Sequence, residues 1–260
     1  MPVFSGQSRS ARTESTIEKR REEVVKSTRN DTRFTEPLYT VAEAARFVGV
    51  PSSTLGTWAQ GYVRRPTGRR EVRGQPIVKS IAADRGYPTV PFVGLAEAMV
   101  LTSFRLSGVS LQHLRRAVAV LECEMGMEHA LASSRLYSDG AVVLFDYADR
   151  QGDAEFAGLT DVVSRQRVFS SVIEDYLERI EYDDDPWAVR VASPVTRRPV
   201  VVADPERAFG QPIFRHGAAP VESVRGRVDA GEPIEDVARD FGVPVDDVAE
   251  FLRVPLPVAA

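Results

Sequence analysis

The apolar positions between residues 38 and 62 recur at the spacing of two short helices joined by a turn. The sequence Thr-Val-Ala-Glu at 40–43 is a capping box that starts the first helix, because its hydroxyl and carboxylate can accept from free amides. Gly49 permits the turn, and Ser52 or Ser53 caps the second helix. The pattern predicts a helix-turn-helix over 41–60, whose inward-facing residues are Val41, Ala45, Val48, Leu55 and Trp58.

Two further segments follow with different periodicity. Residues 63–91 are rich in arginine, glycine and proline and lack helical spacing, which predicts a hairpin or wing. Apolar residues then recur at helical spacing over 95–106 and 111–121, and residues 107–110 break the pattern between them. Ser110 is the expected N-cap of the second of these helices.

The pattern changes again in the centre and in the C-terminal part. Short apolar runs on both sides of Ser138-Asp139-Gly140 predict a small β-hairpin. Apolar residues at helical spacing predict a helix over 168–180. Residues 199–202 are expected to form a strand, and residues 221–252 to form short helices separated by glycine-containing turns.

The helix-turn-helix pattern returns near the C-terminus with different outward residues. Gly242-Val243-Pro244 repeats the turn Gly49-Val50-Pro51, and apolar residues recur around it at the same offsets. Carboxylates on the second unit repel phosphate, so only the first unit is expected to read DNA. The acidic face is expected to be exposed and free to meet a basic partner. Ser52, Ser53, Thr54 and Thr57 of the first unit correspond to Val245, Asp246, Asp247 and Glu250 of the second.

The distribution of charge favours a nucleic-acid partner, although the net charge of the chain is −4. The segment after the first unit carries a run of arginines with few acids, which predicts a surface that meets phosphates. Thr54 and Thr57 are expected to face base edges in the major groove. The residues predicted to contact DNA are Ser52, Ser53, Thr54, Thr57, Arg64, Arg65, Arg69, Arg70 and Arg73.

The sequence carries no recognisable pattern of catalytic or cofactor chemistry. The histidines are scattered, Cys123 is the single cysteine, and Asp183-Asp184-Asp185 precedes a proline as in a solvated turn. We therefore expect no enzymatic activity, no catalytic residues, no cofactor and no metal. Apolar runs are too short for a membrane span and residues 1–16 are polar, so a cytoplasmic protein without a membrane partner is expected.

Two parts of the sequence resemble known families. The segment 39–58, with Gly49-Val50-Pro51 at its turn and Phe104-Arg105-Leu106-Ser107-Gly108 downstream, is similar to the N-terminal winged helix of MerR-type regulators. The segment 199–252, which includes Phe209-Gly210-Gln211-Pro212-Ile213, is similar to domain of unknown function family 433. The second resemblance implies a small helical domain of winged-helix type.

The combination of these two parts resembles the long mycobacterial VapB-type antitoxins of VapBC toxin–antitoxin pairs. The resemblance implies a PIN-type ribonuclease toxin as a partner, and the acidic face suits such a partner because a ribonuclease must attract RNA. Toxin contact is therefore expected at Asp246, Asp247 and Glu250. The 433 family usually has Gly-Thr-Arg-Ile-Pro where this chain has Gly217-Ala218-Ala219-Pro220, so any role of that arginine is missing here.

The expected fold is mainly α, in four parts. They are a polar arm at 1–36, a MerR-like DNA-binding domain with wing and helical pair at 37–125, a central α/β connector at 126–196, and a C-terminal antitoxin-type helix-turn-helix domain at 197–260. Repressors of this kind gain affinity by two-fold pairing, which predicts a homodimer. A chain that ends near Pro194 is expected to keep DNA binding and to lose toxin neutralisation.

The resulting hypothesis is an antitoxin that neutralises a PIN-type ribonuclease toxin, binds operator DNA and represses its own operon. The main alternative is a stand-alone MerR-like transcriptional regulator in which residues 130–215 bind a small effector. A protein-interaction scaffold without DNA binding would leave the arginine-rich segment unexplained.

Overall fold

The helices of the N-terminal part follow the order predicted from the sequence. The structure is a computed structural model that describes residues 31–65, 71–84, 86–152, 160–163 and 166–254. Its first helices are α1 (Thr32–Thr35), α2 (Val41–Val48), α3 (Ser52–Gln60), α4 (Phe92–Leu106) and α5 (Leu111–Met125). The later helices are α6 (Ala141–Gln151), α7 (Ser171–Leu177), α8 (Val221–Asp229), α9 (Ile234–Phe241) and α10 (Val245–Leu252), so the mainly α prediction is confirmed.

Local capping signals set the boundaries of the first two-helix unit. Thr40 Oγ1 accepts from the Glu43 amide at 3.2 Å, while Glu43 Oε2 accepts from the Thr40 amide at 2.8 Å, which confirms the capping box. Gly49 ends α2 in the left-handed conformation, with a φ of 77°. The expected serine cap of α3 is wrong: Pro51 is the N-cap, since its φ of −60° and extended ψ already present its carbonyl to the amides of the first turn.

Short antiparallel strands lie on both sides of this unit. β1 (Pro37–Tyr39) precedes α2, and β2 (Tyr62–Arg64) pairs with β3 (Val72–Gly74) after α3, which confirms a hairpin within 63–91. β4 (Val90–Pro91) returns to pair with β1 and leads directly into α4. These pairings hold the segment after α3 close to the two-helix unit.

Helix α4 lies at the centre of the molecule. It is buried from Phe92 to Phe104, and α1, α2, α3, α5 and α7 all pack against it. The Ser110 hydroxyl accepts from the backbone amide of His113 at the start of α5, which confirms the predicted N-cap. Within the described ranges, no helix combines the length and the apolar character that crossing a membrane requires.

The predicted central hairpin around Gly140 is wrong. Leu136–Gly140 form a π-helical turn that continues into α6. Gly140 is required there by close approach, because a Cβ on it would lie 2.7 Å from Leu136 Cδ1. The buried residues Ala141, Leu144 and Ala148 recur at helical spacing, and this periodicity outweighs the strand-like run that the sequence shows at 142–145.

The predicted helix over 168–180 is only partly correct. β5 (Thr160–Val163) pairs with β6 (Gln166–Phe169), so the start of the segment is a strand. Ser170 has an extended backbone, and α7 occupies the middle of the segment before β7 (Ile180–Tyr182) begins. The apolar residues Phe169, Ile173 and Leu177 are all buried, although they belong to different elements.

A four-stranded antiparallel sheet occupies the second half of the chain. Its order is β10 (Ile213–Phe214), β9 (Val201–Ala203), β8 (Ala188–Ala192) and β7. The expected boundary at 196/197 falls between β8 and β9, which are neighbours in this sheet. Phe34, in the segment expected to be a polar arm, is buried and packs edge-on against Trp187 at a centroid distance of 5.0 Å. One apolar cluster joins residues from α1 to α10.

Candidate functional site

The outer face of α3 is polar, whereas its inner face is packed into the core. Leu55 and Trp58 are buried, with exposed fractions of 0% and 1%. Ser52 and Ser53 are exposed, and Thr54 and Thr57 are half-buried beside them. The Thr57 hydroxyl donates to the carbonyl oxygen of Ser53 at 2.9 Å. The four predicted α3 residues are therefore all at least partly accessible, and Ser53 and Thr57 lie one turn apart on the side opposite Leu55.

The hairpin that follows α3 presents positive charge. Arg65 and Arg73 are exposed, and both donate through Nε to the carboxylate of Glu71. These two hydrogen bonds lower the pKa of Glu71. One carboxylate thus bridges two arginines and leaves a net positive charge near the loop end of the hairpin. The backbone of Arg64 lies in β2, whereas the predicted residues Arg69 and Arg70 lie outside the described residues.

Several contacts hold the hairpin and α3 in one arrangement. The amides of Ile77 and Val78 donate to the carbonyl oxygen of Trp58 at 2.8 and 3.2 Å. The Arg115 guanidinium, from α5, lies over the ring of Tyr62 at 4.9 Å and donates through Nε to the carbonyl oxygen of Gln75 at 2.9 Å. The sequence analysis missed Arg115, because its partners are 40 residues or more away in the chain.

The first helix-turn-helix unit also packs against the second half of the chain. The Ser193 hydroxyl donates to the Phe47 carbonyl oxygen at 2.6 Å, and a Cβ on Gly49 would lie 3.0 Å from Val195 Cγ1. The Tyr39 hydroxyl donates to the Gly210 carbonyl oxygen at 2.7 Å. Burial raises the pKa of this hydroxyl, which keeps it a donor. None of these contacts has a local sequence signal.

A further polar contact joins α2 to α8 at the surface. Arg46 Nη1 lies 3.2 Å from Glu222 Oε1, and both side chains are largely exposed. This pair adds little stability, but it places α8 beside the first helix-turn-helix unit.

The acidic face expected on α10 is not fully exposed, which corrects the sequence-based interpretation. Asp247 is 3% exposed, and its carboxylate lies 3.0 Å from both Arg198 Nη1 and His216 Nδ1. Glu250 accepts from the backbone amide and from Nε of Arg198, each at 2.6 Å. Partial burial disfavours ionisation of Glu250, but these hydrogen bonds prevail and lower its pKa. Of the three acids, only Asp246 lies exposed.

The expectation was wrong because Asp247 lies on the side of α10 that is packed against the rest of the chain. Asp247 lies next to Val248, and both are buried, so the carboxylate points towards the loop that carries Arg198. A carboxylate in that position needs a cation because burial without a partner is costly. The sequence shows the acids but not the arginine that reaches them across 49 residues.

In the part of the chain that the structure describes, His129 is paired with a buried carboxylate. His129 Nδ1 lies 2.7 Å from Glu97 Oε1, and Glu97 Oε2 accepts from the Lys79 amide at 2.6 Å. Burial alone would lower the pKa of His129, but the charge and hydrogen bond of Glu97 raise it. Across the described segments, no group of three histidine, cysteine, aspartate or glutamate side chains could hold a metal ion.

Two parts of the chain match known protein families. Residues 37–118 match a family described as "Putative DNA-binding HTH domain", and residues 201–253 match "Protein of unknown function (DUF433)". The first match covers α2, α3, the β2–β3 hairpin, α4 and most of α5. The second confirms the resemblance to family 433 and covers β9 to α10.

Relatives that match most of the chain come from Mycobacterium tuberculosis (strain ATCC 25618 / H37Rv). The chain is 26% identical over 211 residues to the uncharacterized protein Rv2308, covering 78% of this chain and 84% of that protein. The crystal structure of Rv2018 from M. tuberculosis matches with a TM-score of 0.73 and 38% identity, covering 83% of this chain and 97% of that one. "Putative antitoxin VapB45" is 42% identical over 215 residues, covering 80% of this chain and 90% of that protein. The chain therefore belongs to the family of VapB45.

Proposed function

We propose that this protein is an antitoxin that binds operator DNA through its first helix-turn-helix unit, neutralises a PIN-type ribonuclease toxin and represses its own operon. One observation carries the DNA-binding part. The polar face of α3 and the arginines of the adjacent hairpin are held in one arrangement by Arg115 and by the contacts to Trp58. Membership in the VapB45 family supports the antitoxin part.

In this proposal α3 enters the major groove and the β2–β3 hairpin acts as a MerR-like wing on the phosphate backbone. Ser52 and Ser53, at the start of α3, and Thr54 and Thr57, one turn apart, supply hydroxyl groups that reach base edges. The hairpin arginines supply positive charge without sequence discrimination. Glu71 limits this charge by pairing with Arg65 and Arg73. The other cations of the proposed wing are Arg64, Arg69 and Arg70.

The test of DNA binding uses a fluorescent duplex from the region upstream of the protein's own gene. Thr54→Ala with Thr57→Ala should change the preference between the natural sequence and variants with single base-pair substitutions. Thr35→Ala is the matched control, because Thr35 is exposed on α1 and its hydroxyl donates to a carbonyl four residues earlier, as that of Thr57 does. An unchanged base preference in the double variant would refute the placement of α3.

The toxin part is tested by co-expression with the product of the adjacent gene. Asp246 is the exposed acid on α10, and its charge should attract a basic surface of a ribonuclease. Asp246→Lys should therefore slow association and lower recovery of the complex. Asp183→Lys is the control, since Asp183 is exposed on a different segment. A wild-type chain that neither binds the neighbouring product nor suppresses its toxicity would refute the antitoxin role.

The proposal includes a homodimer on an inverted repeat. A single helix-turn-helix unit buries little surface on DNA, and two-fold pairing of both protein and site supplies the missing affinity. Light scattering should give the mass of two chains on one duplex. A reporter driven by the operon promoter should be repressed by the wild-type chain and released by the Thr54 and Thr57 double variant.

A further inference from the structure

A cavity lies between the loop after β8 and the C-terminal end of α10. Its volume is about 680 Å³. It is lined by Val195, Thr196, Arg197, Arg198, Glu250, Arg253 and Val254. Three of these side chains are guanidinium groups and one is a carboxylate, so the lining is positively charged.

The carboxylate in this lining, that of Glu250, already has a cationic partner in Arg198. Glu250 accepts from the backbone amide and Nε of Arg198, and Arg198 also pairs with Asp247. Arg197 and Arg253 are exposed, and among the described residues neither lies within ion-pair distance of a carboxylate, although the charge of Arg253 helps to lower the pKa of Glu250. The cavity therefore offers Arg197 and Arg253 to an anion from solution, while Arg198 pairs with Glu250 and Asp247; these three arginines and two carboxylates carry a net charge of +1.

The cavity borders the turn of the first helix-turn-helix unit. Val195, one of its lining residues, packs against Gly49, the residue that ends α2. Ser193 fixes the start of the same loop by its hydrogen bond to Phe47. The turn at Gly49 leads into the N-terminal end of α3. In helix-turn-helix complexes this end of the second helix approaches the bases, so the DNA backbone passes beside the turn.

We propose that Arg197 and Arg253 bind a phosphodiester group of the DNA that α3 contacts. This inference rests on the proposed DNA-binding function and adds a second phosphate contact to it, on the side of α3 that faces the C-terminal part. The ligand is the phosphate backbone, since two guanidinium groups around an open cavity match the charge and the oxygen geometry of a phosphate. The C-terminal part thereby contributes to DNA binding, and the pairing of Glu250 and Asp247 with Arg198 offsets part of the repulsion that their sequence implies.

The test is a salt titration of the same promoter duplex with the full chain. Arg197→Gln and Arg253→Gln should each lower affinity roughly fivefold near 0.15 M salt, and each should reduce the slope of log K against log salt by about 0.9. The double variant should lose about twice that slope, and the preference among base sequences should stay unchanged. Replacing both residues with lysine should restore most of the slope, because the charge remains.

The matched control is Arg207→Gln, which removes one exposed arginine from a turn outside the cavity. It should leave affinity and slope as in the wild type.

A double glutamine variant with the wild-type slope would overturn the phosphate contact. If that variant binds DNA normally but no longer recovers the neighbouring gene product, the two arginines serve a protein partner instead. If the wild-type chain binds no duplex, the DNA-binding function itself is overturned. If base preference is lost only when Thr54 and Thr57 are replaced, the DNA-binding function stands.

Discussion

The Ser193 hydroxyl donates a 2.6 Å hydrogen bond to the Phe47 carbonyl oxygen, joining the end of β8 to the last turn of α2 across 146 residues. Ser193 is 1% exposed, so water does not reach this bond. A buried carbonyl that loses its donor keeps the cost of desolvation. The contact therefore bears directly on whether the first helix-turn-helix unit is stable.

We expect Ser193→Ala to lower the free energy of unfolding by about 1–3 kcal/mol, because the Phe47 carbonyl is left without a donor. Urea denaturation followed by circular dichroism measures the change. Ser223→Ala is the control, since Ser223 is exposed on α8 and should change stability by less than about 0.5 kcal/mol. Equal midpoints for the Ser193 variant and the wild type would contradict the role assigned to this bond.

The pairing of His129 with Glu97 predicts a pH dependence. The pKa of His129 is raised in the folded chain above its usual 6.5. The stabilisation is therefore complete below pH 6.5 and is lost as pH rises through the folded-state pKa. The free energy of unfolding should fall over this range, and His129→Gln should flatten the fall.

Glu97→Gln provides a second check on the same pair. It removes the charge that raises the pKa of His129 but keeps an oxygen for the Lys79 amide. Glu122, which accepts from the His129 amide, also has a pKa raised above its ordinary value of 4.5. Its ionisation therefore also lowers the free energy of unfolding as pH rises, starting from a lower pH than that of His129. The His129→Gln variant therefore separates the contribution of His129 from that of Glu122, and a wild-type slope in both variants would exclude the pair as its source.

Arg198 is expected to stabilise the C-terminal part. Arg198→Gln leaves the buried carboxylate of Asp247 with only His216 as a partner, so the thermal midpoint should fall. Adding Asp247→Asn to that variant should recover part of the loss, because the uncompensated charge is gone. Arg239→Gln is the control, since its pair with Asp236 is exposed on both sides. A midpoint that is unchanged, or that falls further in the double variant, would contradict this assignment.

Truncation near Pro194 should not separate two functions as the sequence suggested. Removing the rest of the chain takes β9 away from β8, exposes buried residues of β8 and removes the Gly210 carbonyl from the buried Tyr39 hydroxyl. We expect this fragment to lack a cooperative unfolding transition, whereas a chain that ends at Val254 should unfold like the wild type. A Pro194 fragment with a sharp transition and intact DNA binding would show that the first unit folds independently.

The elements that the sequence predicted well are those with local signals. The capping box at Thr40, the turn glycine at Gly49 and the cap at Ser110 all depend on residues within four positions of one another. The hairpin after α3 likewise follows from its composition. These features could be predicted because the same residues that carry the signal also make the contact.

The errors at Gly140 and Asp247 have a common physical origin in tertiary packing. Gly140 looked like a turn residue, but it is small because Leu136 packs against it inside a helical segment. Asp247 looked like a surface acid, but Arg198 allows it to be buried. Neither partner can be inferred from spacing along the chain. The face of α3 was predictable, whereas the loop at Ser193 that supports it was not.

The hydrogen bond between Tyr39 and Gly210 has a consequence for synthesis, since its partners are 171 residues apart. At about 5–20 residues per second, the ribosome adds Gly210 on the order of 10 to 30 seconds after Tyr39. The nascent first unit lacks the donor for Phe47 until Ser193 is added, and it lacks the acceptor for Tyr39 until Gly210 is added. Translation products that stop short of these residues therefore lack the contacts that hold α2 and β1 against the second half of the chain.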